Sequence, residues 1–112
     1  MTAILRIALD TPLRQLFDYR PPPGVDPRRL VPGVRVRVPF GRRRMIGLYL
    51  EPAERSSLPA QKIKPALEVL DAGPVLDRSL LDFIRWAADY YHHPLGEALA
   101  AALPAAVRAG RP

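Results

Sequence analysis

Phe17-Asp18-Tyr19 sets a carboxylate between two aromatic rings. An ionised carboxylate accepts hydrogen bonds from a hydroxyl or a base edge, and aromatic rings offer apolar faces to a sugar or base. Side chains alternate across an extended strand, so Phe17 and Tyr19 share one side while Asp18 projects from the other. A base could not stack on both rings and touch Asp18 without a bend. Taken alone, the triplet favours rings that fill a core and an aspartate that accepts hydrogen bonds from a turn.

A second constellation runs from Val34 to Arg44. Here an alternating stretch carries Arg35 and Arg37 on an outward face into Pro39-Phe40-Gly41 and then Arg42-Arg43-Arg44. The guanidinium fork pairs donors for phosphate, and a glycine lets a ligand approach the backbone closely. The plainer reading is an exposed hairpin with a solvated face. The third is Trp86-Ala87-Ala88-Asp89-Tyr90-Tyr91-His92-His93-Pro94. His92 and His93 lack a third Cys or His at ligand spacing, which argues against a metal site, and aromatics on a helix more often serve core or interface. With no cysteine, no glycine-rich loop ending in Lys-Ser/Thr and no nucleophile elbow, the residues point away from independent catalysis.

These residues need elements to carry them. Ala3, Leu5, Ile7 and Leu9 alternate against Thr2, Ile4, Arg6 and Ala8, the period of a strand with one buried face. Leu16 to Arg20 reads as a short second strand, closed by Pro21-Pro22-Pro23-Gly24, which cannot continue a ladder. Pro32-Gly33 signals a turn into the strand Val34 to Val38, and Met45 to Leu50 returns with Ile46, Leu48 and Leu50 on one face. The two make a hairpin with a basic tip. Residues 52–62 lack periodicity and read as a surface loop, and Pro65 to Leu70 as a last strand. Asp77 can cap a helix whose apolar stripe is Leu80, Phe83, Ile84, Ala87 and Tyr91, stopped by Pro94. Leu95, Leu99, Ala102 and Leu103 mark a shorter helix ending before Pro104. The expected fold is α+β: a small, mostly antiparallel sheet or partial barrel over about residues 2–71, with one or two C-terminal helices over about 77–103.

The chain has 112 residues, 48% hydrophobic and 25% charged, which suits one globular domain. Its 17 Lys+Arg against 11 Asp+Glu give +6. All of the excess lies in residues 1–60, with 11 basic and 5 acidic side chains, whereas residues 61–112 balance at 6 and 6. Such a one-sided distribution is sized for a polyanion. Arginine supplies 15 of the 17 cations, so a compositional bias explains part of it. No apolar run reaches the ~20 residues a membrane-spanning helix requires, and the N-terminus lacks a signal-peptide pattern. The expectation is a cytoplasmic chain with no membrane partner.

The segments LFDYR, PGVRVRVPFG, IGLYL, ALEVLD, WAADYYHHPLGEAL and LPAAVRAGRP occur here in this order. In order and spacing they resemble the N-terminal DNA-binding domain of primosomal protein N′, the PriA-type replication-restart helicases, over about residues 3–112. The resemblance implies a domain, residues 1–105, that seats the 3′ end of a nascent leading strand at a stalled fork. Residues 106–112 would begin a linker to the helicase portion. It implies pocket residues Phe17, Asp18, Tyr19, Gly41 and Lys64, with Arg37, Arg42, Arg43 and Arg44 as generic phosphate contacts. The triple-arginine tip departs from a mixed polar one and would add non-specific phosphate affinity. No cofactor is expected in this chain; ATP and zinc would belong to the rest of the helicase. Implied partners are DNA with a free 3′-OH end, the remainder of the helicase chain, other primosome proteins and single-stranded DNA-binding protein. Two other readings stay open: a protein-docking module built on the hairpin edge and the Trp86 to Tyr91 helix, and a generic oligonucleotide-binding barrel.

Overall fold

A computed structural model describes residues 3–111; Thr2 of the first expected strand and Pro112 at the end of the expected linker lie outside them. Five strands form one sheet: β1 (Ile4–Ala8), β2 (Phe17–Tyr19), β3 (Arg35–Phe40), β4 (Arg43–Ala53) and β5 (Glu68–Val69). Their spatial order is β2-β1-β4-β3-β5, and each of these pairings is antiparallel. Helices α1 (Arg78–Tyr90), α2 (Leu95–Ala101) and α3 (Ala105–Arg108) follow. The α+β architecture expected from the alternation is the one found. Among the described residues no helix is long and apolar enough to cross a membrane.

The sheet curls until its two edge regions meet. Arg20, just past β2, makes a parallel bridge with Pro65, just before β5. The Arg20 amide donates to the Lys64 carbonyl at 2.9 Å, and the Ala66 amide donates to the Arg20 carbonyl at 2.8 Å. This seam gives the sheet its partial-barrel form and covers edge groups that would otherwise stay unpaired.

Curling encloses a first core, in which Leu5, Ile7 and Leu9 meet Tyr19, Val36, Val38 and Tyr49. The outer face is not left to solvent: Ala8, Leu48 and Leu50 pack under Leu76, Leu81, Leu99 and Leu103. The expectation of one buried face for the first strand is corrected accordingly, because helices cover the second face. β4 also runs further than Met45 to Leu50, with a register irregularity between Arg6 and Ile7 on its β1 partner.

Two further expectations need correction. Arg35 does not face outward into solvent: it is buried, and its guanidinium pairs with Asp71 at 2.7 Å. On α1, Leu81 and Ile84 join the cluster that covers Ala8, Leu48 and Leu50, and Ala88 is the helix's other buried residue besides Leu81. Leu80, Phe83 and Tyr91 of the expected stripe are exposed, as are Trp86 and Tyr90. Asp77 caps α1 as expected, accepting from the Leu80 amide at 2.8 Å. At the other end His92 adopts φ 54° and the His93 amide donates to the Ala88 carbonyl at 2.8 Å, the pattern of a Schellman stop with histidine in the left-handed position. The 105–111 segment is tied down through Arg35, which donates to the Val107 carbonyl at 3.0 Å and the Arg111 carbonyl at 2.5 Å.

Candidate functional site

At the seam, β2, the β3–β4 turn and the segment around Lys64 surround a cavity of about 310 Å³. Phe17, Asp18, Tyr19, Gly41 and Lys64 all line it. β2 is an edge strand, and residues from both of its faces, Phe17 and Tyr19 on one and Asp18 on the other, are among those that line the opening.

The two rings do different work. Phe17 is half-buried and meets Phe40 edge to face, with centroids 5.3 Å apart; together with Leu16 and Leu58 they give the cavity an apolar wall. Tyr19 is buried, and its hydroxyl donates to the Pro39 carbonyl at 2.7 Å. Burial pushes the Tyr19 phenol up to about 12, so it stays neutral and braces the start of the turn. Gly41 occupies the first central position of that two-residue turn with φ +60°, Phe40 pairing with Arg43 across it. This is the type II′ pattern that fits the twist of a hairpin and favours glycine. No atom lies within 4 Å of where a Gly41 Cβ would stand, so backbone conformation and not crowding selects the residue.

Asp18 sits directly opposite Arg6 in the β1–β2 register. Its side chain is only 13% exposed, with Oδ1 3.6 Å from Arg6 Nε, and Ser56 Oγ donates to Oδ2 at 2.5 Å. Arg6 also faces Glu51 at 3.5 Å, and Arg85 of α1 pairs with Glu51 at 2.9 Å, so an alternating charge row links Asp18 to the helix. Lys64 and Lys62 supply two exposed ammonium groups at the cavity.

Among the expected phosphate contacts, Arg42, Arg43 and Arg44 are exposed beside Gly41. Arg37 is elsewhere: half-buried on β3, it is paired with Glu68, its register partner on β5, and does not line the cavity. Sequence reasoning missed Lys62, Ser56 and Leu58, which come from an aperiodic loop. One signal was available for the first, since Lys62 and Lys64 are the chain's only lysines. Among the described residues no group of three or more His, Cys, Asp or Glu could hold a metal ion. Chemically, the cavity can accept a hydrogen bond at a held carboxylate, attract an anion at its lysines and shelter an apolar ring.

A family described as 3′DNA-binding domain (3′BD), under the name PriA, matches residues 6–104. The replication restart protein PriA of Haemophilus influenzae is 39% identical over 107 residues, covering 96% of this chain and 14% of the relative. That of Treponema pallidum is 34% identical over 114 residues, covering 96% and 17%. That of Bacillus subtilis is 36% identical over 93 residues, covering 83% and 11%. The chain thus spans less than a fifth of the length of these curated relatives.

Proposed function

The chain belongs to the PriA 3′DNA-binding-domain family, and from that premise we propose that its cavity seats the 3′-terminal nucleotide of a DNA strand and distinguishes a free 3′-hydroxyl from a continuing phosphate. The observation that carries this reading is the convergence of Phe17, Asp18, Gly41 and Lys64 on one cavity, with the Asp18 side chain largely shielded from solvent.

The physical basis is the difference between an end and a middle. Inside a strand every 3′ oxygen is esterified to phosphate; at the terminus it is a hydroxyl that can donate. Ionised Asp18 accepts from that hydroxyl or from a base-edge donor, and repels a phosphate in the same place. Selectivity therefore comes largely from rejection. Lys62 and Lys64 attract the preceding phosphate, Phe17, Phe40 and Leu58 wall the sugar and base, and Arg42 to Arg44 add affinity without reading the end. Stacking contributes about 1–3 kcal/mol per base. One shallow cavity holding one or two nucleotides binds weakly by itself. In a longer replication-restart protein it gains from tethering to other DNA contacts, and it would set the orientation of a helicase that follows residues 106–112.

Fluorescence polarisation with labelled single strands ending in a 3′-hydroxyl or a 3′-phosphate tests this. The chain should prefer the hydroxyl end, and Asp18→Ala should weaken hydroxyl-ended DNA more than phosphate-ended DNA. Equal losses on both strands, or none, would remove end reading from Asp18. A protein-docking role draws support from the exposed aromatic side of α1, where Trp86 and Tyr90 stack with centroids 5.4 Å apart. A pure docking module would ignore both strands in the same assay.

A further inference from the structure

We infer that Ser56 is a positioning residue for end discrimination: its hydroxyl holds the Asp18 carboxylate in the orientation that reads the terminus. The inference rests on the cavity's role proposed above.

Three observations carry it. First, Ser56 Oγ donates to Asp18 Oδ2 at 2.5 Å, the one side-chain hydrogen bond made to this carboxylate among the described residues. Arg6 Nε stands 3.6 Å from the other oxygen, too far for a hydrogen bond, and Arg6 is shared with Glu51. Second, the same Ser56 oxygen accepts from the Leu58 amide at 3.1 Å. The hydroxyl has a single proton, and with the Leu58 amide on its acceptor side that proton goes to Asp18. Third, the segment fixed in this way forms the cavity wall, since Ser57, Leu58 and Lys62 line it. One hydroxyl thus joins the reading group on β2 to the wall that faces it.

A carboxylate on a single rotatable stem points its lone pairs wherever its partners pull them. With Ser56 on Oδ2 and the Arg6 charge beside Oδ1, the remaining acceptor directions are fixed relative to Lys64 and Gly41. Without Ser56, Asp18 is still charged and still near Arg6, but its plane turns freely and the Leu58 wall loses its tether. Generic attraction of phosphates by the lysines and arginines does not depend on that plane. End discrimination does.

The test uses the 112-residue chain and the two strands described above, with Ser56→Ala, Ser56→Thr, Ser56→Cys and Asp18→Ala side by side. Ser56→Ala should cut the ratio of hydroxyl-end to phosphate-end affinity by about three- to tenfold, the range expected for loss of one ordinary hydrogen bond. The dependence on salt should not move. Ser56→Thr keeps the hydroxyl and should restore the ratio. Ser56→Cys, of similar shape but a weaker donor, should fall between, and serves in place of Ser56→Ala should that variant fold poorly. If Ser56→Ala weakens both strands equally, or if Ser56→Thr behaves like Ser56→Ala, the hydroxyl does not position the carboxylate and the inference is wrong. If Asp18→Ala collapses the ratio while Ser56→Ala leaves it intact, the cavity reads ends without Ser56. If neither variant changes the ratio, the end-reading proposal fails and this inference with it.

Discussion

Arg35 Nη2 lies 2.7 Å from Asp71 Oδ1, and Arg35 Nε lies 2.9 Å from Asp71 Oδ2, a two-pronged ion pair around a buried cation. The remaining Nη1 donors reach the Val107 and Arg111 carbonyls. One guanidinium therefore ties β3, the chain after β5 and the C-terminal segment together. A buried arginine that keeps its other partners and loses its carboxylate is left as an uncompensated charge, which costs about 3–5 kcal/mol in comparable pairs.

That pair should show itself in acid. The side-chain hydrogen bond from Arg35 holds the Asp71 carboxyl below the usual carboxylate range. An aspartate whose native value is depressed contributes stability that is complete above its unfolded value, about 3.9, and lost as pH falls through the native one. Asp71→Asn should accordingly be less stable than the natural chain by about 3–5 kcal/mol near pH 7, with the gap closing below about pH 4. Urea denaturation at a series of pH values measures it, and a gap that stays constant down to about pH 2 would contradict the assignment.

Tyr19 predicts the opposite limb of the pH profile. Burial raises its phenol to about 12, so above about pH 10 the unfolded chain loses a proton that the native chain retains. Stability should fall as pH rises from about 10 towards 12. Tyr19→Phe removes that part of the slope, and at neutral pH it costs about 1 kcal/mol for the lost bond to Pro39. Some alkaline slope should survive in the variant, because burial raises the Tyr49 phenol as well.

Two glycines should respond very differently to a methyl group. A Cβ on Gly96 would stand 1.5 Å from the Leu9 carbonyl oxygen, a backbone atom that cannot swing away. Gly96→Ala should thus push α2 off β1 and destabilise by at least about 2 kcal/mol. At Gly41 the space is open and only the positive φ resists, so Gly41→Ala should cost about 1 kcal/mol. Equal losses in thermal or urea denaturation would mean that α2 can shift to make room.

What the residues disclosed in advance, and what they withheld, follows from the range of the forces involved. The Val34 to Val38 alternation, the Asp77 cap and the Gly41 turn are local, and each is visible as a short pattern. Alternation shows which side chains share a face but not what covers that face. Hence the burial of Arg35 under the C-terminal segment, and of Ala8 and Leu48 under the helices, went unseen. The seam between Arg20 and Pro65 is made of backbone hydrogen bonds, which leave no residue signature, so nothing in composition or spacing brings Lys64 beside Asp18. That neighbourhood was accessible only through resemblance to the family. Ser56 had no signal at all, lying in an aperiodic loop whose bond to Asp18 joins residues 38 positions apart.

The cations around the cavity should separate by partner, and salt dependence is the measurement that sorts them. Each phosphate of a single strand that the protein no longer neutralises lowers the slope of log affinity against log salt by about 0.7. Arg42, Arg43 and Arg44 are exposed beside the turn, so Arg42→Glu with Arg44→Glu should weaken hydroxyl-ended and phosphate-ended strands alike and flatten the slope by about 1 or more. Lys64→Ala should flatten it too, with a larger loss on short strands, where the cavity holds most of the ligand. Arg37 is held by Glu68 away from the cavity, and its charge is already balanced. Arg37→Ala should therefore leave both the slope and the end preference close to those of the natural chain. A slope change as large for Arg37 as for Arg42 would mean that DNA displaces Glu68 and follows β3, a path that bypasses the seam.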